Sequence, residues 1–152
     1  MLSNQRTVLH VDDDPQLTGI VAAQLERRGF EVVSLSDPTE ALPALLNSQI
    51  RIALLDLHMP GCDGIELLRE IKREDGGIQV IMLTATHSMT KAMAAMRAGA
   101  EDCIVKTADN YERITDAIEE SFRKIDRWWN TLHEIKHRDD QNSTVPPEVS
   151  CS

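Results

Sequence analysis

The sequence predicts an α/β domain in which helices cover both faces of a parallel sheet. Five short apolar runs alternate with amphipathic stretches along the chain, and this alternation is typical of repeated strand–helix units. The third run, residues 50–56, is apolar enough to be covered on both faces, as strands inside a parallel sheet are. A length of 152 residues is enough for one domain with a sizeable core.

The first strand–helix unit is predicted at residues 7–29. Residues 7–11 are rich in β-branched side chains, which favours a strand. Asp14 is a preferred N-cap residue and Pro15 suits the first helical position, so we expect a helix to begin there. Gly29 is expected just after the end of this helix, because glycine readily adopts the backbone conformation that closes a helix.

The second unit is predicted at residues 30–46, with its strand at residues 30–35. Asp37 and Pro38 indicate the start of a helix. Pro43 lies early in that helix and is expected to shorten or distort its first turn, because proline lacks the backbone donor that a helix needs.

The remaining strands are predicted at residues 50–56, 78–84 and 102–106. Asp63 and Ser88 follow the first two of these and are expected to cap the next two helices. The helix after Ser88 carries methionines along one stripe, and we expect them to fill the core rather than to form a docking surface.

A final helical pattern runs from residue 109 to about residue 138 and is too long to be covered by a small sheet. Its apolar positions recur at spacings of three and four, which suits pairing with another helix in a second copy or in an output protein. The alternative is that its second half folds back or frays. We therefore expect one domain over residues 1–125, a helical extension over 126–140 and a disordered tail over 141–152. The apolar positions are Tyr111, Ile114, Ile118, Ile125, Trp128, Leu132 and Ile135.

Composition and charge argue against several classes of function. A formal net charge of -9 argues against nucleic-acid binding, which needs clustered Lys and Arg. No apolar run is long enough to predict a membrane span, and the first residues do not resemble a secretory signal. Cys62, Cys103 and Cys151 are widely spaced, which predicts reduced thiols and a cytoplasmic protein rather than a disulfide framework or a zinc site.

Five chemically active side chains stand at the carboxyl ends of predicted strands: Asp12, Asp13, Asp56, Thr84 and Lys106. In an open parallel sheet these ends lie at one edge, where ligands bind. Three neighbouring carboxylates repel one another unless a cation joins them, and a hard dication such as Mg²⁺ prefers such ligands. A hydroxyl and an ammonium group beside that ion suit phosphoryl oxygens. Asp56 is therefore predicted to be a nucleophile that accepts a phosphoryl group.

Each of these residues has an ordinary explanation when it is considered by itself. Asp56 could begin a turn, since aspartate favours turns. Asp12 and Asp13 could belong to a helix cap, and Lys106 could be a solvated charge. These explanations do not account for the placement of acids, hydroxyl and lysine at the same ends of successive strands, which is the stronger signal.

The segments "VLHVDDDP", "LLDLHMPGCDG", "IMLTA" and "AGAEDCIVK" resemble the receiver domain of two-component response regulators. The resemblance covers roughly residues 6–125. It implies a flavodoxin-like, doubly wound sheet of five parallel strands in the order 2-1-3-4-5, here with an extended C-terminal helix. It further implies a signalling domain that is no enzyme in the ordinary sense, because it catalyses only its own phosphorylation and dephosphorylation.

The resemblance also implies a role for each site residue. Asp56 would accept a phosphoryl group from the phosphohistidine of a sensor histidine kinase or a phosphotransfer protein. Asp12, Asp13, Asp56 and the backbone carbonyl of His58 would hold Mg²⁺. Thr84 and Lys106 would contact the phosphoryl group. Phosphorylation of Asp56 would thereby alter the interaction surface of the domain.

Two positions depart from the family pattern. Cys103 stands where an aromatic side chain is usual, and it cannot sweep out the volume of the aromatic ring that moves on activation. Thr107 stands where proline usually follows the lysine, often through a cis peptide. Because a cis bond before a residue other than proline is costly, the turn after Lys106 is expected to be rebuilt or strained.

Two alternative functions follow from the same residues. The first is a receiver-like interaction module that is never phosphorylated, which the departures at Cys103 and Thr107 would suit. The second is a Mg²⁺-dependent phosphatase that forms an aspartyl-phosphate. Haloacid-dehalogenase enzymes of that kind usually have a second aspartate two residues after the nucleophile, where this chain has His58.

Overall fold

The computed structural model describes residues 6–85 and 88–143. Five parallel strands form one sheet in the order β2-β1-β3-β6-β7, and β4 and β5 form a small antiparallel hairpin. The predicted order of the five sheet strands is confirmed. The strands are β1 (Thr7–Val11), β2 (Glu31–Leu35), β3 (Ile52–Asp56), β4 (His58–Met59), β5 (Cys62–Asp63), β6 (Gln79–Thr84) and β7 (Asp102–Val105).

Five α-helices connect the strands and cover both faces of the sheet. They are α1 (Pro15–Arg27), α2 (Ala41–Leu46), α3 (Gly64–Glu74), α4 (Met89–Arg97) and α5 (Tyr111–Asn142). One core cluster packs residues of α2, α3 and α4 against one face, and a second packs residues of α1 and α5 against the other. Every residue of β3 and β6 is buried, as expected for central strands of a covered parallel sheet.

The three predicted N-cap residues are confirmed by the hydrogen bonds that their side chains accept. The Asp14 carboxylate accepts from the backbone nitrogen of Gln16 at 3.0 Å, and the Asp63 carboxylate accepts from that of Ile65 at 2.9 Å. The Ser88 hydroxyl accepts from the backbone nitrogen of Lys91. These bonds satisfy donors that the first helical turn leaves free, so the three turns at the ends of strands are firmly set.

The second helix starts with a distortion, as predicted. A 3₁₀ turn, Pro38–Glu40, precedes α2, which has only six residues. Pro43 lies third in α2, where it has no backbone N–H to donate.

The expectation that the α4 methionines fill the core is wrong. Met89 is 76% exposed and Met96 65%, while Ala95 is the buried residue of the helix. Apolar side chains can share one face of a helix whether or not another element covers that face. Within the described residues, no element packs over the methionine face of α4.

Helix α5 extends well past the sheet, as predicted. It has 32 residues and ends two residues beyond the expected end of the extension, which corresponds to about 48 Å at 1.5 Å per residue. Burial ends at Ser121 among its described residues. Beyond that point four apolar side chains form a stripe that we call the distal seam: Ile125, Trp128, Leu132 and Ile135. The predicted tail lies outside the described residues from position 144 onward.

The turn after Lys106 is rebuilt with ordinary backbone geometry. Thr107 is extended, with φ -130° and ψ 156°, and no cis peptide occurs within the described residues. The Asn110 side-chain amide donates to the carbonyl of Val105 at 2.8 Å. Asn110 thereby stabilises the connection from β7 to α5 without proline.

Candidate phosphoacceptor site

The carboxyl ends of β1, β3, β6 and β7 bring the predicted site residues to one edge of the sheet. Asp12 directly follows β1, while Asp56 and Thr84 are the last residues of β3 and β6. Asp12, Asp56 and Thr84 are only 1%, 4% and 4% exposed. Asp13 is exposed beside them, so the site combines three buried polar side chains with one acid that faces solvent.

Lys106 joins the two buried acids. Its Nζ atom lies 2.6 Å from Asp12 Oδ2 and 2.9 Å from Asp56 Oδ2. Burial acts to lower the pKa of this lysine, but its bonds to Asp12 and Asp56 outweigh burial and raise the pKa. Lys106 is therefore protonated at neutral pH and supplies one positive charge to the site.

Asp12, Asp13 and Asp56 form an acid cluster in which one oxygen from each carboxylate lies within 4.8 Å of the others. One lysine cannot balance three carboxylates, and burial raises the pKa of Asp56 despite the opposing effects of Lys106 and the His58 backbone N–H. An all-oxygen, electron-rich donor set with one side open to water fits a hard dication that keeps several waters. The residues present therefore fit Mg²⁺.

The loop after β3 positions Asp56 through its backbone. The backbone nitrogen of His58 donates to Asp56 Oδ1 at 3.1 Å, and this bond directs the other oxygen, Oδ2, to Lys106. The His58 imidazole is exposed and its Nε2 lies 2.9 Å from Lys91 Nζ on α4. Because an ammonium group only donates, Nε2 accepts this bond and the Nδ1 atom carries the proton.

Three contributors to the site were not identified from the sequence. Gly64 begins α3 directly against the loop that follows β3, and a Cβ atom there would lie 2.6 Å from the Asp56 carbonyl oxygen. Lys91 reaches His58 from α4, and His10 lies buried below Asp12. The glycine after Asp63 was a readable signal for close backbone approach, whereas the other two contacts join residues that are distant in sequence or hidden in a strand.

Cys103 lies on β7 and is partly buried against the core cluster that includes β3 and β6. Burial raises the pKa of its thiol, so the thiol is protonated and uncharged. The side chain acts here as a small apolar group, opposite Met82 in the neighbouring strand, and fills less space than an aromatic ring would.

None of the described helices is both long enough and apolar enough to cross a membrane.

The response regulator receiver domain model matches residues 8–119. The transcriptional regulatory protein GlrR of Escherichia coli is 34% identical over 125 residues, which cover 80% of this chain and 28% of GlrR. The DNA-binding response regulator MtrA of Mycobacterium tuberculosis is 34% identical over 102 residues, which cover 67% of this chain and 44% of MtrA. The chain thus spans less than half the length of these curated relatives.

Solved structures agree with these matches. The beryllofluoride-activated NtrC4 receiver domain dimer has a TM-score of 0.74 and 28% identity, over 78% of this chain and 98% of that one. NtrX from Brucella abortus has a TM-score of 0.71 and 32% identity, over 84% of this chain and 30% of that one. With the family model matching most of the chain and the fold and acid cluster in agreement, the chain belongs to the response regulator receiver domain family, whose members are phosphoacceptor signalling domains.

Proposed function

We propose that Asp56 accepts a phosphoryl group from the phosphohistidine of a sensor histidine kinase or a phosphotransfer protein, in a reaction that needs Mg²⁺. The observation that carries this proposal is Lys106, which holds the two buried carboxylates of Asp12 and Asp56 at 2.6 and 2.9 Å. A third carboxylate, Asp13, completes the acid cluster at the solvent side. The site is thus charged, oriented and open on the side from which a donor would approach.

Asp12, Asp13, Asp56 and the backbone carbonyl of His58 are the groups that would hold the ion. When bound, Mg²⁺ supplies positive charge that neutralises the phosphoryl oxygens. The protein contributes position: β1 and β3 fix the two buried acids, and the His58 backbone N–H keeps Asp56 Oδ1 in place at 3.1 Å. Such fixed geometry accounts for much of the rate of phosphoryl transfer.

In the transfer step one carboxylate oxygen of Asp56 forms a bond to phosphorus while the bond from phosphorus to the donor's imidazole nitrogen breaks. The imidazole leaves with the bonding electron pair. Lys106 and the Thr84 hydroxyl would then contact the phosphoryl oxygens, since each is a donor at the adjoining strand ends. Water later cleaves the acyl phosphate, releases inorganic phosphate and restores the carboxylate.

The test is incubation with a small acyl or amido phosphate and Mg²⁺, followed by intact mass measurement. We expect one added phosphate that depends on Mg²⁺ and on Asp56. Turnover of many donor molecules without an adduct would favour the phosphatase, and a protein that neither gains mass nor consumes donor would favour the silent interaction module.

We further propose that the distal seam binds a second copy of the chain. Trp128, Leu132 and Ile135 are 61%, 50% and 51% exposed, and they continue the three-and-four spacing of the buried positions Ile118 and Ser121. The next position in this spacing is Asp139, seven after Leu132, so the seam ends at Ile135. The NtrC4 receiver domain, which has a similar fold, is a dimer in its beryllofluoride-activated form. A helix stripe of this kind is stabilised when a second helix covers it.

Sedimentation of the full chain and of a chain ending at Arg123 tests the second proposal. We expect the full chain to associate at micromolar concentration and the shortened chain to remain a monomer. If both remain monomers, with and without phosphoryl donor, the seam serves an output protein instead.

The limits proposed for the globular domain remain residues 1–125. The net charge of -9 disfavours nucleic acid as a partner of this segment, and we place the reaction in the cytoplasm with the kinase.

A further inference from the structure

His10 is a buried polar residue that the proposed chemistry does not use. It lies on β1, is 0% exposed, and neither ring nitrogen has a hydrogen-bond partner within the described residues. Buried polar groups are nearly always paired, so an unpaired imidazole calls for an explanation. Burial lowers its pKa to about 4, so the ring is neutral at neutral pH and has one N–H to donate.

The ring lies directly below the acid cluster. His10 and Asp12 share one face of the chain because alternate residues of a strand point the same way. The Nε2 atom is 3.9 Å from Asp12 Oδ2, and both side chains are fully buried. This separation is about 1 Å longer than a hydrogen bond between these atoms, so a small shift of either side chain closes it.

Phosphorylation changes what Asp12 Oδ2 contacts. In the unmodified site Lys106 Nζ contacts both Asp12 Oδ2 and Asp56 Oδ2. An acyl phosphate on Asp56 brings additional charge and acceptor oxygens, and these draw the ammonium group toward themselves. Asp12 Oδ2 would then lose its lysine contact while remaining buried, which is costly for a carboxylate unless another donor replaces it.

We propose that His10 is a positioning residue that donates its Nε2–H to Asp12 Oδ2 when Lys106 turns to the phosphoryl group on Asp56. The inference rests on the proposed function, since it requires a phosphorylated Asp56. It assigns to His10 the task of keeping Asp12 oriented for the metal ion after the lysine has moved. Partners of this kind, one layer behind a metal ligand, commonly change metal affinity by about tenfold or more.

The test compares His10→Leu with His10→Gln. Leucine fills a similar volume with no polar atom, so it removes two unpaired nitrogens, and we expect its melting temperature to equal or exceed that of the wild type. We also expect about tenfold weaker Mg²⁺ affinity of the phosphorylated protein, read from the Mg²⁺ concentration that gives half-maximal acyl phosphate with acetyl phosphate, and a lower yield of that acyl phosphate. Glutamine presents an amide N–H close to the position of Nε2 and should restore both properties.

A matched control is Val8→Ala, two positions before His10 on the same strand and part of the core cluster with α1 and α5. It should lower the melting temperature without changing Mg²⁺ affinity, because it removes packing and no donor. This opposite pattern separates positioning from simple structural support. Equal Mg²⁺ affinity and phosphate yield in wild type and His10→Leu would overturn the inference, as would a glutamine variant as defective as leucine.

Nitrogen NMR of the His10 ring in the wild-type protein gives an answer even if the leucine variant fails to fold. We expect the proton on Nε2, with its resonance moving downfield when acetyl phosphate and Mg²⁺ are added. A proton on Nδ1 in the phosphorylated protein would contradict the inference. If the wild type gains no phosphate by mass in the same sample, the proposed function and this inference both fail; if it gains phosphate while the ring is unchanged, only this inference fails.

Discussion

The acid cluster and the distal seam depart from the usual distribution of polar and apolar groups in opposite directions. The cluster buries Asp12 and Asp56 almost completely around one lysine, whereas the seam leaves Trp128, Leu132 and Ile135 half or more exposed. Buried carboxylates are strongly unfavourable unless they are paired, and a row of exposed apolar side chains is unfavourable until a surface covers it.

The two regions differ in whether the same chain supplies the groups that pair with them. In the cluster the partner is internal, since Lys106 and the His58 backbone N–H supply donors from neighbouring strand ends. In the seam no described residue covers the exposed side chains. The acid cluster is therefore preorganised within one chain, while the seam leaves its apolar side chains exposed to solvent.

The largest expected effect is on phosphorylation in Asp56→Asn. An amide of the same shape is a poor nucleophile, so the phosphate adduct should disappear, and loss of one charge from three acids should raise the unfolding free energy slightly. Intact mass and denaturant unfolding measure the two effects. Asp63→Asn is the matched control, because asparagine also caps a helix, and it should be phosphorylated normally. A normal adduct in Asp56→Asn would remove Asp56 from the site.

Lys106→Met tests whether the buried acids depend on their internal cation. Methionine keeps the length of the side chain but leaves Asp12 and Asp56 unpaired, so the unfolding free energy should fall by about 3 kcal/mol in the absence of metal. Millimolar Mg²⁺ should restore part of this loss, since a dication replaces the ammonium charge. Lys124→Met removes the more exposed pair with Glu101 and should change stability by less than about 1 kcal/mol. Equal losses in the two variants would show that burial of the cluster has no energetic consequence.

Acid sensitivity should arise in the buried region through His10. Burial lowers the pKa of His10 to about 4, below the ordinary value of about 6.5 that applies to the unfolded chain. Between these values the unfolded chain binds a proton that the folded chain does not, so stability falls as pH falls. The wild type should lose about 2 kcal/mol relative to His10→Leu between about pH 7 and about pH 5. Parallel pH curves in urea unfolding would contradict this prediction.

Asp13→Ala should weaken Mg²⁺ binding about tenfold without destabilising the fold. Asp13 is the exposed member of the acid cluster, so its removal takes away one proposed metal ligand and no buried contact. Calorimetry measures the affinity directly, and the variant should also be phosphorylated poorly. Unchanged Mg²⁺ affinity would mean that Asp13 is not a ligand.

The smallest expected effect on the fold is that of Trp128→Glu in the distal seam. The side chain is 61% exposed, so the monomer should lose almost no stability, while a charge in a helix–helix seam should abolish self-association. Sedimentation should show that association is lost, while intact mass should show the same phosphate adduct as in the wild type. Arg127→Glu, its exposed neighbour off the seam, is the control and should still associate. Association by Trp128→Glu equal to that of the wild type would show that the seam is not the dimer surface.

The sequence by itself determined the strand–helix alternation, the three helix caps and the set of acids, hydroxyl and lysine at the strand ends. These features are local or follow from strand direction. A cap involves neighbouring residues, and the carboxyl ends of parallel strands lie at one edge of the sheet. The long final helix was predictable for the same reason, because residues 111–142 contain neither glycine nor proline.

Only the tertiary structure decided which groups touch and which surfaces stay open. It places Lys106 between Asp12 and Asp56, buries His10 beneath Asp12 and brings Gly64 against the Asp56 carbonyl. It also leaves the α4 methionines exposed, although their spacing alone suited a core. Periodicity shows that side chains share a face, but only the packing of distant elements determines whether that face meets protein or water.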